Sequence, residues 1–288
     1  MKGYIDLHTH TTASDGSDNP KEVVSKAAKL GLKAIAITDH DTLDGLEEAE
    51  LAGLENGIEV IRGCELSVMS PYNEVHILGL WIPHQADELN SALSVLREHR
   101  ARRNEIIVDK LQALGFEISY AEVLEEAVKK SKNSQKSIGR PHIAQVLLKK
   151  SYVADINEAF VKYIGINGVA FEPKQLFEVE VIFKLLSDVK ATICIAHPGL
   201  IKCTVKELDS YIGYLKELGL FGIEAYHSEH SEKVTNELLR LAKKYDLGIS
   251  GGSDYHGTPK PSISLGFGKG NLRIKYSVLE KLKARRRS

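Results

Sequence analysis

Asp6-Leu7-His8-Thr9-His10 stands near the start of this 288-residue chain, with Asp15 close behind. Gly3 to Leu7 reads as a short strand, and residues two apart in a strand share a face, so Asp6, His8 and His10 converge. Two imidazoles side by side at a strand end make half of a metal site. Metal-binding residue types recur at or within later apolar segments: Asp39 and His40, Glu65, His76, His197, Glu224, Asp254 and His256. Each has an ordinary explanation alone. His76 alternates with apolar neighbours as a core histidine does, and His197-Pro198 suits a turn. Burying the whole set in one place without a cation would be costly, so the set predicts a metal centre.

The elements that must position these residues come from periodicity. Helical spacing covers Pro20 to Leu30, Thr42 to Asn56, Lys174 to Ser187, Val205 to Leu218 and Glu232 to Tyr245. Short apolar strands are expected at residues 3–7, 34–38, 60–66, 75–82, 192–196, 222–225 and 248–250. Strands alternating with helices predict an α/β domain with a parallel sheet. At about Gln85 a polar, helix-prone stretch replaces the alternation and runs to about Pro173. The expected division is therefore a domain of residues 1–84 and 173–288, interrupted by a helical insertion of residues 85–172. An open doubly wound sheet gathers ligands at one switch point, whereas a closed (β/α) barrel turns all its C-terminal strand ends toward one mouth. Every predicted strand contributes a ligand type, which favours the barrel.

Composition removes several alternatives. Charge is nearly balanced, with 38 Lys and Arg against 39 Asp and Glu, giving no long-range field for nucleic acid and no expectation of stable duplex binding. Cys64, Cys194 and Cys203 are odd in number and scattered, against a disulfide framework or a CxxC motif. None is followed six residues later by arginine, and no Gly-x-x-x-x-Gly-Lys-Ser/Thr loop is present. No leader pattern opens the sequence and no apolar run nears the ~20 residues of a membrane span. A cytoplasmic protein, monomeric or a small homo-oligomer, is expected.

Asp6-Leu7-His8-Thr9-His10, Ser14-Asp15-Gly16, Thr38-Asp39-His40-Asp41, Gly63-Cys64-Glu65, His76, Ala196-His197-Pro198 and Gly252-Ser253-Asp254-Tyr255-His256 together resemble the polymerase-and-histidinol-phosphatase (PHP) family of metal-dependent phosphoesterases. The resemblance implies a distorted seven-stranded (β/α) barrel and a trinuclear site. It would place one metal on His8, His10, Glu65 and Asp254, a second on Glu65, His76 and His197, and a third on Asp15, His40 and His256. Some members carry histidine where this chain has Asp15, which bears on whether two or three metals are held. Imidazole and carboxylate ligands without thiolate suit Zn, Mn or Fe. Asp6 and Asp39 are expected to orient the histidines from behind. Asp39 and His40 are neighbours in a strand end and should point to opposite sides. Three divalent ions against Asp15, Glu65 and Asp254 leave a local charge on the order of +3, enough to attract a phosphate ester. The implied mechanism is attack by a metal-bridging hydroxide, with no protein nucleophile.

Gly139-Arg140-Pro141-His142-Ile143-Ala144, Ala159 to Gly165 and Gly168 to Phe171 resemble the insertion of one PHP subgroup, which hydrolyses nucleoside 3′,5′-bisphosphates and trims short RNA from its 5′ end. The resemblance implies that the insertion caps the barrel mouth, that Arg140 and His142 contact substrate phosphate, and that His230 does so from Glu224 to Ser231. Pro141 also suits a helix start. The expected substrate is thus a nucleotide or short RNA. The alternatives are another small phosphate ester such as histidinol phosphate, or a metal-binding module without catalysis.

Overall fold

The computed structural model describes residues 3–128 and 138–287. The chain begins with β1 (Tyr4–Asp6), α1 (Pro20–Lys29), β2 (Leu32–Ile37), α2 (Leu46–Asn56), β3 (Glu59–Ser70) and β4 (Asn73–Leu80). The α3 (Asp87–Ala113), α4 (Tyr120–Val128), α5 (Arg140–Lys149) and α6 (Ile156–Ala159) helices come next, and a π-helical turn, Phe160–Ile164, continues α6. The remainder is β5 (Phe177–Glu178), α7 (Val179–Asp188), β6 (Thr192–Ile195), α8 (Val205–Leu218), β7 (Gly222–His227), α9 (Glu232–Lys244), β8 (Gly248–Gly252) and α10 (Tyr276–Arg287). Local chemistry sets the helix starts. Before α1, Asn19 Oδ1 accepts the Glu22 N–H at 2.8 Å while Glu22 Oε2 accepts the Asn19 N–H at 2.9 Å; Thr204 and Glu207 open α8 the same way.

Seven strands take the order β1-β2-β3-β4-β6-β7-β8, and the two-residue β5 attaches to β3. The ring nearly closes where Leu7 N–H donates to Gly251 O (3.1 Å) and Asp254 N–H to His8 O (2.9 Å). Gly252 permits this closure, since a Cβ there would lie 2.3 Å from that of His8. The expected barrel is present, but the sheet is mixed rather than parallel: β4 runs antiparallel to both β3 and β6. Only Pro71 and Tyr72 separate β3 from β4, too few residues for the crossover that a parallel pair needs, so the pair is a hairpin. The reversal brings the start of β4, not its end, to the mouth, which is how His76 comes to lie among residues from the C-terminal ends of other strands.

One apolar cluster joins Ile77, Ile193, Ile195 and Ile223 to Phe183, Ile212, Leu215 and Leu241 of the outer helices, and another joins Ile5, Ala34, Ala36, Leu78 and Leu80 to Leu279 and Leu282 of α10. Residues 85–172 have a further cluster around Leu111, Val123, Ile143 and Leu147. The α3 helix belongs to both regions. Its buried stripe runs Leu89, Leu93, Leu96, Arg100, Arg103, Ile107, Leu111, so that leucines at its start meet the barrel cluster, apolar residues at its end meet the other, and two arginines lie between. Among the described residues no helix is long and apolar enough to cross a membrane.

Candidate metal centre

Glu65, on β3, is the hub. Its Oε2 lies 3.2 Å from His8 Nε2, 3.1 Å from His10 Nε2 and 3.2 Å from His40 Nδ1. Its Oε1 lies 2.8 Å from His76 Nδ1 and 2.9 Å from His197 Nε2. Ser67 pairs with His76 across the hairpin, which makes Glu65 the diagonal neighbour of His76 on the same face and explains their contact. Burial opposes ionisation of Glu65, yet His40, His76 and His8 hold its carboxyl well below the usual range.

Donor atoms collect in three overlapping groups: His8, His10, Glu65 and Asp254; His10, Asp15, His40 and His256; and His40, Glu65 and His76. In the first, His10 Nε2 is 3.1 Å from His8 Nε2 and 3.3 Å from Asp254 Oδ1. Ligands about 2.0–2.2 Å from a tetrahedral ion stand roughly 3.4 Å apart, the spacing seen here. In the second, His256 Nε2 is 3.3 Å from Asp15 Oδ1, and the His10 and His256 rings stack at 4.0 Å. Among the described residues, buried His10 Nδ1 and His40 Nδ1 find no hydrogen-bond partner. Orphaned lone pairs beside ionised carboxylates fit divalent cations. The third group differs from the expected one, since His40 joins Glu65 and His76, while the His197 ring reaches Glu65 with Nε2 at 2.9 Å.

The electrostatics point the same way. Burial works against the charged imidazoles of His10 and His76, but Asp254 and Glu65 beside the first, and Glu65 and Glu74 beside the second, raise both to about 9. The carboxylates thus favour positive charge at these two rings, whereas burial holds His40, His197 and His256 below the usual imidazole range. Asp254, His197 and Asp41 take positive φ values of 58°, 31° and 52°, unusual for residues other than glycine, as the chain leaves β8, β6 and β2.

Behind the donors, Glu224 on β7 receives the His8 Nδ1–H at 3.0 Å and the His197 N–H at 2.6 Å. This fixes the tautomer that leaves His8 Nε2 free to ligate. Glu74 Oε1 lies 2.9 Å from His76 Nε2 and pairs with Lys174. Asp254 divides its oxygens, Oδ1 toward His8, His10 and His256, and Oδ2 toward Lys260 at 2.5 Å and His227 Nε2 at 3.6 Å. Asp6 and Asp39, expected to orient imidazoles, touch no ring. Asp6 accepts the N–H groups of Ser253 and Gly266, both at 2.8 Å, and the Ser253 hydroxyl; Asp39 accepts the Thr11 N–H at 2.8 Å and the Thr11 and Ser14 hydroxyls. These short carboxylates reach the loop backbone before any ring, so they hold the loops that carry the histidines. Asp39 bonds to Thr11 and Ser14, while His40 Nδ1 lies 3.2 Å from Glu65 Oε2.

His230 differs from its expected role on substrate. Its Nδ1 is 3.0 Å from Ala225 O and its Nε2 accepts the Gly199 N–H at 3.2 Å, so both nitrogens serve backbone and brace the turn after His197. His142 Nδ1 accepts the Gly139 N–H at 3.1 Å, so this ring caps the start of α5. Arg140 lies half-buried, its Nη1 3.2 Å from Ile164 O and its guanidinium 5.5 Å above the Phe160 ring.

Sequence reasoning overlooked the supporting charges. Glu74 was findable, since it shares a face with His76 two residues away. Arg100 and Arg103 interrupt the apolar stripe of α3, which is also a legible signal. Lys260 comes from an irregular loop and had none. Arg100 forms a buried pair with Asp41, the residue after His40. Arg103 is 5 % exposed, and among the described residues neither it nor Arg140 has a carboxylate within 4.0 Å. Burial and then the Arg140 guanidinium weaken the charged form of Arg103, and burial weakens that of Arg140.

The family model described as PHP domain matches residues 6–249. A 5′-3′ exoribonuclease of Haemophilus influenzae is 32% identical over 258 residues, 89% of this chain and 91% of that protein. A phosphoribosyl 1,2-cyclic phosphate 1,2-diphosphodiesterase of Eggerthella lenta is 30% identical over 88% of this chain and 94% of its own length. A 3′,5′-nucleoside bisphosphate phosphatase of Chromobacterium violaceum is 31% identical over 88% of this chain and 87% of its own. A crystal structure described as a metal-dependent phosphoesterase from Bifidobacterium adolescentis superposes with a TM-score of 0.86 at 29% identity, covering 98% of this chain and 96% of that one.

Proposed function

This chain belongs to the PHP family and is a metal-dependent hydrolase, and we propose that its substrates are nucleotides carrying a second phosphate beyond the one cleaved: nucleoside 3′,5′-bisphosphates, losing the 3′-phosphate, or the 5′ ends of short RNA. The observation that carries this reading is the pair of guanidiniums, Arg103 and Arg140, that lack carboxylate partners among the described residues. The carboxylate of Glu74, which lies 2.9 Å from His76 Nε2, supports the charged forms of both arginines, and this favours a phosphate-reading place for them near the donors. A buried guanidinium whose charged form is weakened by burial and by the neighbouring Arg140 cation favours an anion beside it, and a planar guanidinium fork matches phosphate oxygens. The relatives named as an exoribonuclease and a bisphosphate phosphatase support the same class.

We assign the metals to His8, His10, Glu65 and Asp254; to Glu65, His76 and His197, with His40 available; and to Asp15, His40 and His256, with His10 available. Bound there, divalent ions supply a water acidified for attack and charge neutralisation on the phosphate oxygens. The chain's own groups do the positioning. Glu224 keeps the His8 proton on Nδ1, Glu74 and Lys174 hold the His76 ring, and residues 85–172 cap the mouth with Arg103 and Arg140. No side-chain nucleophile is needed, and burial pushes the thiols of Cys64 and Cys194 up, away from the reactive thiolate.

The test is turnover of the Mn-loaded protein on adenosine 3′,5′-bisphosphate, adenosine 3′-monophosphate, histidinol phosphate, a ribose cyclic phosphate and 5′-phosphorylated oligoribonucleotides, with products identified by mass. Preference for the bisphosphate or the oligonucleotides supports the reading. Preference for the cyclic phosphate or histidinol phosphate overturns it.

A further inference from the structure

The π-helical turn Phe160–Ile164 is an uncommon piece of backbone, and such turns occur disproportionately at functional sites. It is built by two glycines. The Gly165 N–H closes the turn on Phe160 O at 2.8 Å, and a Cβ on Gly165 would stand 2.3 Å from that oxygen. After Gly165 the chain doubles back, so that the Val169 and Ala170 N–H groups donate to Lys162 O and Tyr163 O, and a Cβ on Gly168 would strike Tyr163 O at 2.3 Å. The turn is therefore fixed from both ends, and Tyr163 anchors it edge-on to Phe116 at 5.0 Å.

What this turn presents is a seat for one side chain. Its first residue offers the face of Phe160 to the Arg140 guanidinium, and its last offers the Ile164 carbonyl to Arg140 Nη1. Between them they cover one side of the fork and use one of its five N–H groups, which leaves the remainder for a ligand. A ring face holds a cation without neutralising it, whereas a carboxylate in the same place would cancel the charge that a phosphate needs.

We propose that the Phe160–Ile164 turn is the specificity-determining seat of Arg140: Phe160 is a positioning residue that fixes the guanidinium for the uncleaved phosphate without a carboxylate to compete for it. This rests on the phosphate-reading role proposed for Arg140.

The experiment uses the Mn-loaded full-length protein, with adenosine 5′-monophosphate as a competitive inhibitor that carries only the uncleaved phosphate and 4-nitrophenyl phosphate as a substrate that carries only the scissile one. Phe160→Leu should raise the inhibition constant of adenosine 5′-monophosphate about 3- to 30-fold, the loss of one partly desolvated cation–π contact. Metal content and kcat/KM on 4-nitrophenyl phosphate should stay within twofold of wild type. Phe160→Tyr retains the ring face and should restore inhibition to within about twofold. If Arg140→Ala weakens inhibition and Phe160→Leu does not, the seat is wrong while the role of Arg140 stands. If Phe160→Leu slows 4-nitrophenyl phosphate as much as it weakens inhibition, Phe160 serves packing alone and the proposal falls. If neither variant changes inhibition, the reading of Arg140 falls and takes the seat with it.

Discussion

Glu224→Gln changes one oxygen of a buried carboxylate to an amide nitrogen, and the hydrogen bonds around that carboxylate dictate the outcome. Glu224 Oε2 accepts the His197 N–H at 2.6 Å and also lies 3.2 Å from His8 Nδ1, while Oε1 is 3.0 Å from the same Nδ1. A glutamine must keep its carbonyl oxygen at the Oε2 position, because an amide N–H there would face the His197 N–H and leave a buried donor unpaired at about 1–3 kcal/mol. Its NH2 then points at His8 Nδ1. That NH2 opposes the Nδ1–H at the shorter contact and leaves it only the 3.2 Å approach to an oxygen already shared with the His197 N–H, which favours the proton on Nε2, the nitrogen turned toward Glu65, His10 and Asp254. A protonated Nε2 cannot ligate. Loss of such a supporting partner costs roughly 10- to 100-fold in metal affinity, and kcat/KM at limiting metal should fall in parallel. A chromophoric chelator competing for Mn or Zn reads the affinity directly, and Glu224→Asp controls for charge without correct reach. Wild-type metal affinity and turnover in Glu224→Gln would refute the tautomer argument.

Glu65→Gln should lower both metal content and turnover by more than the roughly 100-fold expected for a supporting residue, since both oxygens of Glu65 face imidazoles; elemental analysis with kinetics checks it. With His10 and His76 at about 9 without metal, cations must displace their protons. Affinity at each of the two metals should therefore fall as pH drops below 9, by about tenfold per pH unit for the one such histidine that each holds, and calorimetry in buffers of different ionisation enthalpy should register proton release on metal binding. Arg100→Ala leaves the buried Asp41 carboxylate unpaired and should destabilise the protein by about 3–5 kcal/mol, read as a lower urea midpoint. Arg140→Ala should lower kcat/KM on a nucleoside bisphosphate about tenfold to somewhat over a hundredfold, at about 1.5–3 kcal/mol for a charge-assisted hydrogen bond, with metal content intact.

The barrel and its donors were legible because they rest on local rules. Strand alternation places His8 with His10, and apolar runs broken by glycine mark strands and helices nearly to the residue, as in Val205–Leu218. What was missed depends on chain direction and long-range contact. The reversal of β4 needed the two-residue Pro71-Tyr72 link to be read as a hairpin, and the rule that strands alternate with helices concealed it. Helical spacing extends back over Thr42 to Gly45, yet α2 starts at Leu46, where Gly45 at φ 83° ends the loop from Asp41. Glu224 was visible at a strand end as one more ligand type, but only the fold shows that it faces the back of His8. Asp6 and Asp39 illustrate the converse. Their sequence neighbours are histidines, and their spatial neighbours are backbone N–H groups and hydroxyls.

On the reading proposed above, one group of residues cleaves a phosphate while a second group of cations reads another. The most direct test of this reading is the ratio of kcat/KM for adenosine 3′,5′-bisphosphate to that for adenosine 3′-monophosphate, measured on one protein preparation of known metal content. The two substrates share sugar, base and scissile bond. The uncleaved phosphate alone separates them, and two guanidiniums without carboxylate partners among the described residues should be worth at least one charge-assisted hydrogen bond to it, a ratio of about ten to a hundred or more. A ratio near one on fully metallated protein, or the absence of turnover on both, would contradict the account.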